Sequence, residues 1–492
     1  MKKKTLLFIS ILYFATRVFN LTVIPIFNDE AIYIRYGLAE RLEEVSRHYS
    51  LLVGKEPLMP NLYAISGLLF NDLLFGARLI TVIFGFLTLW GIYKLCKKYF
   101  SQNVAIFASL IYIVNPFTLF FDRLALLDSP VSTIEIWSLY FTLELIHKAD
   151  VRKALTLGTI LGLGFWIKST SYFYFFLPFV ALLVYFIKQR KFEIDKFKMF
   201  LISGALTLGI FSLLYFDPLY KVLVEQRKIY TYGVFFPFSF PLSIWWNNIL
   251  FAFSYLFYFQ TPLIFLAGLG GIIALIKRRD LNYYIFLLWF ILPLLYMILY
   301  GKMPTSRYFL ILSVPFVILT GIFISKVFEY KKLFGIIVLT SIIAVCVIYN
   351  SFIYFVPIKF PNLLLGAAKV DTTQYFHGFP SGYGVMEAIN YLKDLGKDKN
   401  ITIIVRNDSG NPEDAVVAYL YYNNPNIKVL PVNEPDLKDF DSLKDNLPIN
   451  GEIYFVSRGA YYVGLEKYFI SEKKFLKPND NEFIGVQKLK ID

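Results

Sequence analysis

The 492-residue chain is 57% hydrophobic and 19% aromatic but only 17% charged. A soluble protein of this length carries about 25% charged residues, so the composition excludes a water-soluble globular enzyme and calls for lipid as a second solvent. The net charge of +13 does not indicate a nucleic-acid partner. Lys and Arg lie in short clusters between apolar runs, as in the loops of a polytopic membrane protein.

A spanning helix needs about 20 mostly apolar residues. Runs of this kind lie at 5–24, 74–95, 103–120, 129–147, 154–167, 171–187, 199–216, 249–276, 282–299, 308–325 and 333–357, about eleven spans in all. The first, MKKKTLLFISILYFATRVFN, starts like a signal peptide. Arg17 interrupts it and no small-residue cleavage site follows, so it reads as an uncleaved helix. Cys96 and Cys346 fall in or beside spans and offer neither a disulfide framework nor a CxxC metal site.

Charge sets the expected orientation. With the N-terminus inside, the stretches 1–4, 94–103, 147–153, 187–198, 276–281 and 326–332 carry 20 Lys and Arg in 46 residues. The stretches 24–72, 121–127, 168–170, 217–248 and 300–307 carry 11 in 99. That is the sign of the positive-inside rule. The protein is therefore expected to be integral to the cell membrane, with a cytoplasmic N-terminus and the even-numbered connections inside.

Beyond residue 358 the long apolar runs stop. ITIIV (401–405) and EIYFVS (452–457) read as buried strands, and GVMEAINYLKDLGK (384–397) as an amphipathic helix. The expected fold is mostly α: a polytopic helical membrane domain over 1–357, with outer loops including 24–72, and a soluble extracytoplasmic α/β domain over 358–492. The stretch AIYIRYGLAERLEEVSRHY in the first outer loop has helical spacing suited to lying flat on the membrane.

The outer connections gather charge at one face. Asp29 and Glu30 follow the first span, Lys55 precedes Pro57, Asp122, Arg123 and Asp128 fill the second outer connection, Lys168 the third outer one, and Lys302 and Arg307 the fifth outer one. A carboxylate can orient or deprotonate a hydroxyl, and clustered Lys and Arg can hold a phosphate and stabilise its charge as it leaves. Such a set suits transfer from a lipid-linked phosphate. Each residue also has a structural reading: Arg17 an ion pair or snorkelling anchor, Arg123 and Arg307 interfacial anchors, and Asp128, before Ser129 and Pro130, a helix cap. His48, His147 and His377 lack metal-ligand spacing.

Five segments in order resemble the GT-C membrane glycosyltransferases, in the branch of the lipid A aminoarabinose transferase and the protein O-mannosyltransferases. ATRVFNLTVIPIFNDEAIY is similar to their first span and DE-bearing loop, and GKEPLMPNLYAISGLLF to their EKPPLxYWL segment. DRLALLDSP, LGLGFWIKSTSYFYFFLPF and SRYFLILSVPFVILTG resemble later motifs of the branch. The resemblance implies a polyprenyl- or dolichyl-phosphate-sugar donor in the bilayer, a glycan, lipid or protein acceptor, and transfer with inversion. Carried over, it implies Asp29, Glu30 and Asp128 as the catalytic acids. It further implies Lys55, Lys168, Arg307, Arg123 and Arg17 as the donor-phosphate cations. The motif departs where Gly54 replaces its Glu and Glu56 its first Pro, and a divalent metal among the acids stays open. The rival readings are a lipid or glycan transporter or flippase, and a GT-C ligase using a lipid diphosphate.

Overall fold

The structure, a computed structural model, describes residues 2–43, 48–70, 72–277, 280–302, 305–422, 424–444, 447, 451–459, 464–478 and 482–490. Helix α1 (Lys2–Val18) leads into a first connection that holds α2 (Asn28–Leu42) and α3 (Leu58–Leu69). Next come α4 (Leu73–Tyr99), α5 (Gln102–Val114), α6 (Pro116–Asp122), α7 (Asp128–His147), α8 (Val151–Ile167), α9 (Tyr172–Gln189) and α10 (Ile194–Tyr215). After a short α11 (Tyr220–Arg227), the helical part closes with α12 (Leu242–Ser254), α13 (Pro262–Ile276), α14 (Leu281–Tyr300), α15 (Leu310–Tyr330) and α16 (Lys332–Phe355).

Among the described residues, six helices are long and apolar enough to cross a membrane: α4, α9, α10, α14, α15 and α16, the ninth and fifteenth each extended by a preceding turn. The number rises to eight if α5–α6, bent by 63°, and α12–α13, bent by 113°, each count as one span. Every expected run thus has a helix, but the eleven are not equivalent. α1 and α8 have 17 residues each, and α7 carries Glu135 and Glu144 along its 20. The run 249–276 is not a single helix either: a break at Gln260 and Thr261 turns it sharply before Pro262 restarts the chain.

The α5–α6 break shows how such bends are held. Asn115 caps α6 by accepting from the Phe117 amide at 2.9 Å, and Pro116 suits its first turn. The break frees the last carbonyls of α5, which need donors in an apolar surrounding. Arg17 supplies them: it donates to the carbonyls of Ile113 and, at 3.0 Å, Tyr112, and reaches Asp122 at 3.3 Å. Tyr13 and Tyr112 donate to the same carboxylate, each at 3.2 Å.

The C-terminal region forms a five-stranded sheet of order β2-β1-β3-β5-β4. Strands β1 (Ile401–Arg406), β2 (Ile427–Val432) and β3 (Glu452–Arg458) run parallel, while β4 (Phe469–Leu476) and β5 (Phe483–Leu489) complete it antiparallel. The two expected strands are β1 and β3, and the expected amphipathic helix is Val385–Asp398. Alternation along β1 divides the core. Ile401, Ile403 and Val405 join an apolar cluster continuous with the membrane helices, whereas Ile404 packs with Phe440, Phe455 and Phe469 on the far face.

Helix α2 differs from its expected place. Instead of lying on a membrane surface it is buried from Asp29 to Ala39, between α3 and the helix Glu413–Leu420 of the C-terminal region. Residues 44–47 of the same amphipathic stretch lie outside the described residues.

Arg17 and Asp122 are each at most 1% exposed, so removing either partner strands the other. Arg17→Leu or Asp122→Leu alone is expected to cost about 3–5 kcal/mol, and the double variant to cost less than the two summed. Thermal unfolding of the four proteins in detergent checks this.

Candidate functional site

A cavity of about 340 Å³ lies where the first connection, the α8–α9 turn, the α10–α12 connection, Gly301 and the turn Ser306–Phe309 meet. Lys55, Lys168, Arg227 and Arg307 line it with Glu56, Tyr33, Tyr230 and Tyr308; one wall is apolar, with Phe173, Phe176 and Met297.

Local structure delivers each cation. Lys55 follows Gly54, whose φ of +72° ends the turn Tyr49–Val53. A Cβ at Gly54 would stand 2.6 Å from that of Gln226, so glycine also admits α11 to the rim. Lys168 ends α8 in extended backbone (φ −164°, ψ 143°), and Arg307 sits in the turn Ser306–Phe309 that starts α15. Arg227, the last residue of α11, reaches back to Glu56 at 3.2 Å and donates to Tyr172 Oη at 2.5 Å.

Two acids stand behind the cations. Asp29, in the first turn of α2, accepts from Arg307 Nη1 at 2.6 Å and from Tyr33 Oη at 3.3 Å. Asp128 accepts from Lys168 Nζ at 2.5 Å. Asp128 does not cap α7: no side-chain cap bond forms there, and its carboxylate serves Lys168 instead. Burial favours the neutral form of Asp29, but Arg307 and then Lys55 outweigh it and hold the carboxyl well below the usual carboxylate range. Burial likewise works against the Lys55 ammonium, yet Asp29 keeps it above the ordinary lysine value. For Lys168 burial wins over the attraction of Asp128, and its pKa is lowered.

Several donors remain open. Among the described residues Lys55 has no hydrogen-bond acceptor, only the rings of Tyr33 and Tyr230 within 6 Å, at 5.6 and 5.9 Å. The buried Nε of Arg307 and of Arg227 also lack acceptors. Three unfilled donors on cationic groups around one cavity suit a multiply charged oxyanion.

The other expected site residues lie elsewhere. Glu30 is fully buried, and Arg78 grips both its oxygens at 2.8 and 2.7 Å. The amides of Ala125 (2.6 Å) and Phe27 (2.9 Å) complete its shell, so neither oxygen is left for a substrate. Arg17 is spent on the α5–α6 break described above. Arg123 is 1% exposed, donates to the carbonyl of Asn20 at 2.5 Å and stacks on Tyr354. None of the three lines the cavity. The site is also richer than expected: Arg227, Glu56 and the three tyrosines enter it. Glu56 drew notice only as a motif departure. Arg227 sat in a polar stretch whose return to the site has no local signal. Among the described residues no three His, Cys, Asp or Glu side chains gather closely enough to hold a metal ion.

The Asp29–Arg307 pair has a signed pH dependence. A carboxyl whose folded pKa is depressed contributes stability above its unfolded pKa of about 3.9 and loses it as pH falls toward the folded value. The stability difference between wild type and Asp29→Asn is therefore expected to be constant above about pH 5 and to shrink below about pH 4. Urea unfolding in detergent across that range measures it.

Residues 55–216, a span that contains Lys55, Asp128 and Lys168, match the family described as dolichyl-phosphate-mannose-protein mannosyltransferase. The fold is shared with ArnT of Cupriavidus metallidurans, crystallised with undecaprenyl phosphate, at TM-score 0.58 and 13% identity, over 98% of this chain and 97% of that one. It is also shared with the oligosaccharyltransferase of Archaeoglobus fulgidus, at TM-score 0.55 and 14% identity, over 97% of this chain and 72% of that one. No curated protein sequence matches the chain. The chain thus shares its fold with ArnT and with the archaeal oligosaccharyltransferase, and over residues 55–216, a third of its length, it matches the dolichyl-phosphate-mannose-protein mannosyltransferase family that its motifs resemble.

Proposed function

We propose that this chain is a membrane glycosyltransferase that takes a sugar from a polyprenyl or dolichyl monophosphate and passes it, with inversion, to a hydroxyl of a glycan, lipid or protein acceptor. The observation that carries the reading is the convergence of Lys55, Lys168, Arg227 and Arg307 on one cavity with an apolar wall and with Asp29 behind Arg307. A lipid phosphate needs both halves of that environment, charge for its head and hydrocarbon for its tail.

In this scheme the acceptor oxygen attacks the anomeric carbon as the bond to the phosphate oxygen breaks. The electron pair leaves on the phosphate, where Lys55, Arg227 and Arg307 meet the growing charge. Asp29 accepts the hydrogen bond of the incoming hydroxyl and orients it. Because Arg307 and Lys55 depress the Asp29 pKa, the carboxylate is a weak base. The proton comes to rest on the departing phosphate, whose second pKa is about 6.

The membrane arrangement proposed with it adds α1, α7 and α8 to the eight apolar candidates, giving eleven spans. The N-terminus is then cytoplasmic, and residues 358–492 lie outside the membrane as an extracytoplasmic domain. The fourfold bias of Lys and Arg between alternate connections supports that orientation.

Proteoliposomes with radiolabelled polyprenyl-phosphate sugars and a mixed acceptor pool test the proposal. Wild type is expected to transfer or slowly hydrolyse at least one donor. Asp29→Asn should lower the rate by about 100-fold or more while the lipid still binds, and Lys55→Ala should weaken lipid binding itself. Full turnover by Asp29→Asn would move the orienting role to Asp128. A wild type that neither binds nor turns over any donor on a broad panel sinks the reading.

A further inference from the structure

Arg307 and Tyr33 meet the Asp29 carboxylate from the cavity, but the backbone of α2 that carries it lies within a connection and needs its own hold. Beside the Glu30–Arg78 pair, a second hold on α2 comes from the C-terminal region. Asn411, fully buried, donates its backbone N–H to Asn28 Oδ1 at 2.8 Å and its side-chain amide to the carbonyls of Ile26 at 2.9 Å and Pro380 at 3.4 Å. Asn28 in turn donates its own N–H to Pro380 O at 2.9 Å. Further along α2, Arg35 Nη1 donates to Asp414 Oδ1 at 2.5 Å, and the other oxygen of Asp414 accepts from the Gly410 amide at 2.6 Å. The same short loop therefore grips α2 on both sides of Asp29.

The grip is stiff at each end. Gly410 has φ +111°, and a Cβ on it would stand 2.0 Å from Asn28 Oδ1, so the Asn28 side chain packs on the Gly410 backbone where no other side chain fits. The loop is pinned to the sheet by Arg458 at the end of β3, which donates to Glu413 at 2.8 and 3.0 Å and to Ser409 O at 3.1 Å. A chain of short contacts thus runs from the parallel sheet through loop 409–414 to Asn28 and its neighbour Asp29.

We infer that loop 409–414 is a positioning element for Asp29: through Asn411 and Asp414 the C-terminal region sets the rotation and depth of the first turns of α2, and so the aim of the carboxylate. This rests on the role given to Asp29 above. Asn411, Asp414 and Arg35 do not line the cavity and do not touch the reacting atoms. They act through α2. Misplacement of a reacting group by about 1 Å costs about 100-fold in rate, so loosening the clasp is expected to show in turnover before it shows in binding.

The test uses full-length protein in nanodiscs. Asn411→Ala removes the side-chain bonds and keeps the backbone one. Arg35→Met with Asp414→Leu replaces the buried pair by apolar groups of similar size, an exchange that usually preserves folding. Three quantities are read: kcat for transfer, the Kd and stoichiometry of undecaprenyl phosphate binding, and hydrogen exchange over residues 26–36. The inference expects kcat to fall about tenfold or more in both variants, with Kd and stoichiometry unchanged and exchange faster over 26–36. Unchanged kcat overturns it, and so does a fall in kcat matched by an equal fall in binding stoichiometry, which is what lost folded protein gives. If wild type transfers no sugar, the parent reading fails separately. Exchange then decides alone: 26–36 as protected in both variants as in wild type overturns the clasp.

Discussion

Glu30 and Arg78 form the ion pair on which the geometry of this protein depends. Both side chains are fully excluded from solvent, and a lone charge there would carry a penalty of several kcal/mol. The pair is tolerated because every polar atom has a partner. Arg78 also donates to the carbonyls of Leu21 and Ile24 at 2.9 and 2.8 Å, and Glu30 also accepts from Ala125 and Phe27. One residue pair therefore ties the stretch after α1, the start of α2 and the α6–α7 connection to α4. Asp29 is the neighbour of Glu30. Its backbone is placed by a contact that lies away from the cavity.

The adjacent acids thus divide their work by environment. Glu30 faces inward to an arginine with matched bidentate geometry and becomes structure. Asp29 meets Arg307 and Tyr33, both of which line the cavity. The same division recurs at the second connection. Asp122 takes Arg17, Tyr13, Tyr112 and Ser129 inside the helical bundle, whereas Asp128 holds a cavity lysine. In each case one buried acid braces its segment and the other pairs with a cation that lines the cavity. Low dielectric makes the braces stiff and the cavity pairs strongly interacting.

The motifs led to Asp29, Asp128, Lys55, Lys168 and Arg307, and these do converge, the two acids one contact behind the three cations. They were legible because charge is rare in this chain and each residue stands at the end of an apolar run. Arg17, Arg123 and Glu30 look the same by that criterion, yet they turn inward, and no local pattern separates the two groups. Arg227 shows the opposite failure. It lies in a polar stretch where a cation is unremarkable, and only the return of α11 against Gly54 and Tyr172 brings it to the site. The amphipathic pattern of α2 correctly predicts a helix, but its apolar face meets α3 and the C-terminal region and not lipid.

The sequence by itself determined the solvent of each segment. Hydrophobic runs of spanning length, basic clusters between them and the change of composition near residue 358 follow from transfer free energies that act residue by residue. Period-two alternation in β1 and the helical period of Val385–Asp398 are equally local. Tertiary structure alone decided which charges pair and which remain available. A buried ion is stable only when donors and acceptors from distant segments complete its shell, as Arg78 does for Glu30 over 48 residues and Asp414 for Arg35 over 379. That condition is geometric, and it exists only once the chain has folded.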